Sequence, residues 1–353
     1  MASSDSSLAR VGGVHLLTIL FSPGHSKVSG VTRVTVTLIR MRLLRGTAAL
    51  ALVLTASCSY RRHVAVTPVP EPARQSVVVG SDTISYERSG DTLSGKPTVV
   101  LLHGFGAAME SWSDIQPLIA ARYPVLRMDL KGFGRSSKPK DSKYSARDQA
   151  DVVAGALRML NVRRLVLVGH SFGGAVTFAT YLKLRAEGDQ RIVALGFIDP
   201  AVYEQPVPFF IAALQSSFTR WLMFTFTTPD WRADIVLRQV YANDSVRTAE
   251  RVRRYAKFMD LPGAHHSFAK TAEQIVPPDA ADLEAKLKTI SVPTLALWGE
   301  EDKIVPIKYG NRMRHDVPGA EYFAFANTGH APQEEQPAAT AERLLQFLAH
   351  VLP

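Results

Sequence analysis

The sequence has a single cysteine, Cys58, among its 353 residues. An internal disulfide is therefore excluded, and so is a zinc site built from several cysteine ligands. The only adjacent pair of histidines, His265-His266, has no neighbouring cluster of other metal-ligating residue types. We therefore expect no metal and no organic cofactor.

The main part of the chain also lacks a strong excess of charge. The whole chain carries 41 basic and 32 acidic residues, a formal net charge of +9. Residues 1–57 hold six of the basic residues and one of the acidic ones, which leaves 35 basic against 31 acidic residues, or +4. A surface this mildly basic gives no reason to expect nucleic acid as a partner.

The apolar run Gly46–Leu54 is too short to span a bilayer comfortably. It follows the basic segment Met41–Arg45 and precedes Thr55-Ala-Ser-Cys58, an order that is typical of a secretory signal. The ending resembles that of a bacterial lipoprotein signal, in which the cysteine becomes the lipidated first residue. Thr55 differs from the leucine more usual there, so an ordinary cleaved signal beside an incidental Cys58 stays open.

Residues 1–40 show no convincing element and precede this signal, so we expect translation to begin at Met41. A lipidated Cys58 would hold the protein on the periplasmic side of a membrane by its acyl chains. Ser59 in place of aspartate favours the outer membrane by the same resemblance. Residues 1–57 are thus predicted to be a leader, and residues 58–73, which contain three prolines near their end, a stiff tether.

Strand-like and helix-like segments alternate over residues 74–202 and 276–353, which we predict to form one core. Strands are expected at Gln75–Val79 and Thr83–Arg88 (a hairpin), Pro97–Gly106, Pro124–Leu130, Leu165–Val168, Arg191–Pro200, Pro293–Gly299 and Glu321–Ala326. Helices are expected at Ser111–Arg122 (capped by Ser111 or Ser113), Ser145–Leu160, Ala175–Arg185 and Ala338–Val351. Because most of the strands are continuously apolar, the pattern predicts an α/β fold with a mostly parallel, eight-stranded sheet flanked by helices.

Residues 203–275 interrupt this alternation and are rich in phenylalanine and tryptophan. We predict an inserted helical cap, whose aromatic side chains pack within the cap and together line an apolar pocket. The basic segment Arg247–Lys257 is expected to be a solvated helix face, with a membrane-surface role as the lesser alternative.

A very short turn joins the strand at Leu165–Val168 to the following helix. Within it, Ser171 has Gly169 two residues before and Gly173 two residues after. This is the G-x-S-x-G nucleophile elbow in its strand–turn–helix context, where residues without a Cβ allow the backbone to approach closely. The strained turn lifts the serine hydroxyl clear of the sheet and predicts a nucleophile.

A serine hydroxyl needs a base, and that base needs an orienting acid. We expect His330, after the last strand, to be the base and Asp302, after the preceding strand, to be the acid. The carboxyl ends of parallel strands share one edge of a sheet, so these loops can meet at Ser171. Asp199 is the alternative acid, and Glu301 is a weaker one.

Five stretches together resemble the α/β-hydrolase superfamily over about residues 77–352. They are His103-Gly-Phe-Gly106, Asp129-Leu-Lys-Gly-Phe-Gly-Arg-Ser136, Gly169-His-Ser-Phe-Gly-Gly174, Gly299-Glu-Glu-Asp302 and Thr328-Gly-His330. The resemblance implies an oxyanion hole made by the backbone N–H groups of Phe105 and Phe172. Such donors contribute about 3–4 kcal/mol each to transition-state stabilisation.

The resemblance implies a serine hydrolase, and the aromatic-rich cap favours a carboxylic-ester hydrolase acting on apolar acyl esters. A serine at the elbow argues against the haloalkane dehalogenases and epoxide hydrolases of this fold, which use aspartate there. A C–C bond hydrolase of the meta-cleavage type stays open, as do amidase, lactonase and perhydrolase activities. A non-catalytic ligand-binding protein is the alternative from another class. No protein partner is indicated.

Overall fold

The computed structural model describes residues 6–11, 14–19, 35–38, 75–92 and 94–352, the first three ranges by their backbone only. The chain divides into two compact units, Met1–Pro70 and Glu71–Pro353. The predicted signal, Cys58 and the tether lie outside the described residues. In the described part of the chain, no helix combines the length and apolar character needed to cross a membrane.

The first unit differs from the expectation that residues 1–40 contain no regular element. Three strands, Ser6–Val11, Val14–Ile19 and Thr35–Leu38, pair in that order as an antiparallel sheet. Valine, isoleucine and threonine recur in these segments, and β-branched residues favour the extended conformation.

The second unit is built around an eight-stranded sheet. Its strands are β1 (Gln75–Val79), β2 (Asp82–Ser89), β3 (Thr98–Leu102), β4 (Val125–Met128), β5 (Leu165–His170), β6 (Ile192–Ile198), β7 (Thr294–Gly299) and β8 (Glu321–Phe325). They lie in the order β8-β7-β6-β5-β3-β4-β2-β1. The pairs from β8 to β4 are parallel, and β2 pairs antiparallel with β4 and β1. The predicted mostly parallel sheet and its N-terminal hairpin are confirmed.

Both faces of the sheet are covered, which explains why its central strands are continuously apolar. The core helices are α1 (Gln116–Ala120), α2 (Ala146–Met159), α3 (Phe172–Ala186), α9 (Ala280–Ala285), α10 (Ile307–Asp316), α11 (Pro332–Glu335) and α12 (Pro337–Val351). Along β3, Val100 and Leu102 belong to the apolar cluster that includes α2 and α3. Val99 and Leu101 belong to the opposite cluster with α1 and α12.

A side-chain cap explains where one predicted helix begins, and a second predicted helix differs from the structure. Ser145 begins α2 with a capping box, because its Oγ accepts from the Asp148 N–H while the Asp148 carboxylate accepts from the Ser145 N–H. The helix predicted over Ser111–Arg122 is instead a 3₁₀ turn, Met109–Trp112, followed by the short α1. Neither Ser111 nor Ser113 caps the 3₁₀ turn or α1 with its side chain. The Ser111 hydroxyl donates to the Ala108 carbonyl instead.

Helices also occupy the segment predicted as a cap. They are α4 (Phe209–Gln215), α5 (Ser217–Phe226), α6 (Pro229–Val240), α7 (Ala249–Ala256) and α8 (Ala264–Glu273). The basic helix α7 differs from the expected solvated face. Arg251 and Arg254 are largely covered and pair with Asp114 of the core. A basic helix face can pack against the core at a place where the core presents a carboxylate.

Candidate active site

Ser171 stands between β5 and α3 in a conformation that side-chain-bearing residues rarely adopt, with φ 55° and ψ −121°. Its N–H donates to the carbonyl of Ile198 on β6, and its own carbonyl accepts from the N–H groups of Gly174 and Ala201. These hydrogen bonds hold the residue in the strained geometry that the sequence predicted for the turn.

The two flanking glycines are required by close backbone approach. A Cβ on Gly169 would lie 2.2 Å from the Gly173 carbonyl oxygen, and a Cβ on Gly173 would lie 2.3 Å from that of Leu102. Both distances are far below normal contact, and the obstructing atoms are backbone. Any side chain at either position would therefore push α3 away from the sheet.

His330 and Asp302 come together as expected. The His330 Nδ1 donates to the Asp302 Oδ2 over 2.7 Å, and both residues are buried. The other carboxylate oxygen, Oδ1, accepts from the N–H groups of Ile304 at 2.7 Å and Val305 at 2.9 Å. This arrangement places the ring proton on Nδ1, so Nε2 carries the lone pair that a general base requires.

His170, the residue before Ser171, holds the backbone of His330 next to the nucleophile elbow. The His170 Nε2 donates to the backbone carbonyl of His330 over 2.6 Å. Burial and the nearby His330 keep the pKa of His170 well below its usual value, so this ring stays neutral. Ser171 and His330 line the same cavity, although no hydrogen bond joins these two described side chains. Such a bond often tightens only when substrate is bound.

Asp199, the alternative acid, lies beside the same pair but has a different role. Its Oδ1 accepts from the Gly299 N–H over 2.9 Å, while its Oδ2 is buried. Burial and the neighbouring Asp302 raise its pKa well above the usual range, which favours a neutral carboxylic acid. The histidine thus bonds to Asp302 and not to Asp199.

One ligand atom from each of Asp199, Asp302 and His330 lies within 4.8 Å of the other two, a spacing that could admit a metal ion. However, His330 Nδ1 and Asp302 Oδ2 already bond to each other, so neither atom is left to bind a metal ion. The donor set therefore fits acid–base chemistry better than metal binding.

The loop after β3 runs alongside the serine. A Cβ on Gly104 would lie 3.0 Å from the Ser171 Cβ. Phe105 packs against Phe133 and, on the cap, Phe268, with ring centroids 5.8 and 6.0 Å away. Phe172 is the first residue of α3, where backbone N–H groups have no partner within the helix. Phe172 thus begins the helix directly after the serine, and Phe105 lies in the loop beside it, while the oxyanion role of their N–H groups stays a prediction.

His103 braces this loop. Its Nδ1 donates to the Gly104 carbonyl over 2.8 Å, and its Nε2 accepts from the Leu130 N–H over 3.0 Å. Burial lowers its pKa to about 4, so the ring is neutral at physiological pH. Both ring nitrogens form structural hydrogen bonds, which leaves His103 no role in proton transfer.

Sequence reasoning missed two glutamates that fasten the His330 loop to the cap. Buried Glu334 accepts from the hydroxyls of Tyr241 and Tyr255, both at 2.7 Å. Glu335 accepts from the N–H groups of Gly329 at 2.8 Å and Ala242 at 2.9 Å. The cap partners lie about 80–90 positions earlier in the chain, so no local signal in the sequence could identify them.

A cavity of about 630 Å³ opens beside these groups. Ser171, His330, Gly104 and Phe105 line its base. Its walls are mainly apolar side chains of the cap, among them Ile211, Leu214, Met223, Val236, Leu237 and Met259. The expected apolar pocket is therefore present, and it suits a ligand that is largely hydrocarbon.

Comparisons with known proteins agree with this fold. The model of the family described as alpha/beta hydrolase fold matches residues 97–337. An uncharacterised hydrolase of Bacillus subtilis is 29% identical over 285 residues, which cover 78% of this chain and 98% of that protein. A 2-hydroxy-6-oxononadienedioate/2-hydroxy-6-oxononatrienedioate hydrolase of Cupriavidus pinatubonensis is 27% identical over 286 residues, covering 79% and 96%.

One solved structure adds a relative with another substrate. The crystal structure of a membrane phospholipase A, a bacterial virulence factor, superimposes with a TM-score of 0.62 and 26% sequence identity. The match covers 79% of this chain and 86% of that one. These three proteins are all named as hydrolases, and the two whose names specify a substrate act on different ones.

Proposed function

Since the chain belongs to the α/β-hydrolase fold family, we propose that this hydrolase is a serine esterase with Ser171 as nucleophile, His330 as base and Asp302 as orienting acid. The observation that carries the proposal is the 2.7 Å hydrogen bond between His330 Nδ1 and Asp302, because His330 lines the same cavity as the strained Ser171. Export and lipidation at Cys58 belong to the proposal as well.

The proposed reaction is acyl transfer in two steps. His330 Nε2 takes the Ser171 proton as the hydroxyl attacks the ester carbonyl, and the same proton then goes to the leaving alcohol. Water activated by His330 next attacks the acyl-enzyme and releases the acid. The N–H groups of Phe105 and Phe172 are proposed to bind the negative oxygen in both tetrahedral intermediates.

The apolar cavity supports an ester with a hydrocarbon acyl chain over a charged substrate. Its cap-derived walls are mainly apolar, and the one arginine among the residues that line it, Arg232, already pairs with Asp260, so a carboxylate or an ammonium deep inside would be poorly solvated. The phospholipase among the relatives is consistent with an acyl ester. The C–C bond hydrolase among them keeps cleavage of a meta-cleavage product as the second candidate, because that reaction can use the same triad.

A panel of p-nitrophenyl esters from acetate to dodecanoate tests the substrate class. We expect kcat/KM to rise from acetate to at least hexanoate, by up to about fourfold per methylene, because each buried CH₂ contributes about 0.8 kcal/mol. A protein that leaves butyrate and octanoate untouched but cleaves a 2-hydroxy-6-oxo-dienoate is a C–C hydrolase. Failure of a fluorophosphonate to label Ser171 would favour the non-catalytic binding protein.

Intact-mass analysis of the protein from its native source tests the proposed export. The expected mass corresponds to a chain beginning at Cys58 and carrying acyl groups, since lipoprotein processing removes the preceding leader. A cleaved chain without acyl mass would indicate an ordinary secretory signal. Retention of residues 1–40 would contradict both processing and the expected start at Met41.

A further inference from the structure

The cap carries an unusual concentration of exposed apolar side chains. Ten large apolar side chains are exposed in the part of the chain that the structure describes, and six of them lie between residues 209 and 231. We call these six the aromatic patch: Phe209, Phe218, Trp221, Leu222, Phe226 and Trp231. None of the ten side chains of α5 is buried, although the helix is predominantly apolar. Contiguous exposure of this kind marks an interaction surface.

Three aromatic side chains of the patch lie against one another on α5. The rings of Phe218 and Trp221 have centroids 6.4 Å apart, and those of Trp221 and Phe226 are 5.8 Å apart. This finding corrects the expectation that the cap aromatics pack within the cap. A sequence pattern identifies apolar residues but cannot tell which of them a tertiary partner covers.

The patch is also continuous with the cavity. Phe209, Leu222, Phe226 and Trp231 are exposed to solvent and at the same time line the cavity that contains Ser171 and His330. A protein partner bound over these side chains would obstruct the cavity on that side. A surface that holds apolar molecules at the same place would instead give those molecules direct access to the cavity.

The charge distribution agrees with a lipid surface. Residues 205–229 contain no acidic residue and a single basic one, Arg220, which pairs with Glu273 over 3.6 Å. Asp230, which is exposed beside Trp231, is the single acidic residue at positions 205–231, so the patch offers lipid phosphates little repulsion. No free cluster of cations demands an acidic partner. Tryptophan and phenylalanine are the residues that settle at the boundary between lipid headgroups and acyl chains.

From these observations we propose that the aromatic patch docks on the surface of a phospholipid bilayer and turns the cavity mouth toward the acyl chains. The contact is apolar, so its strength depends little on salt. Docking does not require that Ser171 be catalytic, and it is separate from any lipid attached at Cys58.

Co-sedimentation with sucrose-loaded phosphatidylcholine vesicles tests the docking. The protein is the full chain carrying Cys58→Ser, so that no acyl chain can be attached there. In this background, Phe218→Ser with Trp221→Ser is expected to weaken the vesicle partition coefficient at least about tenfold, because binding scales with apolar area. These two residues are 69% and 56% exposed, and neither lines the cavity.

A matched control removes the same number of exposed apolar side chains from the surface of residues 74–202, outside the cap. Met159 and Leu118 are 66% and 43% exposed, and Met159→Ser with Leu118→Ser should bind vesicles like the parent. Ser171→Ala should also bind like the parent, which separates docking from the proposed activity. All variants share residues 1–74, so binding by that segment cancels.

The four tryptophans provide an independent measurement. Trp221 and Trp231 are exposed on the cap, whereas Trp112 and Trp298 are fully buried. Brominated phosphatidylcholine should therefore quench only the cap tryptophans, in low and in high salt alike. Equal vesicle binding by the patch variant and the parent would overturn the proposal. So would a parent that ignores vesicles but forms a dimer that the patch variant does not form.

Discussion

Replacing Ser171 with alanine is expected to lower kcat on p-nitrophenyl butyrate by about 10⁶, to the level set by binding and the oxyanion donors alone. The change removes only the hydroxyl. The unusual backbone angles at this position persist, because Ile198, Gly174 and Ala201 bond to the backbone of the residue and not to its side chain. The far-UV circular dichroism spectrum and the melting temperature should therefore match those of the parent.

Ser111→Ala is the matched control for this loss. Ser111 is also buried, and its hydroxyl donates to the Ala108 carbonyl, but it does not line the cavity. The control should keep full activity with a small loss of stability, about 1 kcal/mol for one hydrogen bond. A Ser171→Ala protein that retains activity within tenfold of the parent would refute the assignment of the nucleophile.

Replacing Asp302 with asparagine is expected to lower kcat by about 10⁴. The amide oxygen can still accept from Ile304 and Val305, so the loop should keep its shape. The amide N–H₂ would then face the ring, and the His330 Nδ1 would have to accept instead of donate. That moves the ring proton to Nε2, where no lone pair is left to take a proton from Ser171.

Asp199→Asn is the matched carboxyl-to-amide control. Burial and the neighbouring Asp302 raise the pKa of the Asp199 carboxyl, which favours the neutral form that an amide resembles, and an amide oxygen can keep the bond from Gly299. We expect kcat within about tenfold of the parent, far from the loss expected at Asp302. A larger loss for Asp199→Asn than for Asp302→Asn would move the acid to Asp199.

The same variant should change how stability depends on pH. The pKa of Asp199 is raised in the folded state above its unfolded value of about 3.9. Its contribution to stability is therefore fully present below pH 3.9 and is lost as the pH rises through the folded pKa. The melting temperature of Asp199→Asn should consequently fall less than that of the parent as the pH rises above about 4.

Local sequence determined the elements that local physics controls. Continuous apolar runs identified the buried strands, and the glycines around Ser171 identified the elbow, because backbone crowding at Gly169 and Gly173 leaves room for no other residue. The chain order of Ser171, Asp302 and His330 predicts that they lie near one another, since parallel strands end at one edge of the sheet. In the structure His330 bonds to Asp302 and lines the same cavity as Ser171.

Only the tertiary structure decided which groups contact each other and which side chains remain uncovered. The bond of His330 to Asp302, with Asp199 left beside it, depends on loop paths after β6 and β7 that no short pattern encodes. The bonds from Glu334 to two cap tyrosines depend on contacts between residues far apart in the chain. The exposure of α5 also depends on tertiary contacts. The amino-acid sequence determines how apolar a helix is, but its burial depends on which distant segments pack against it.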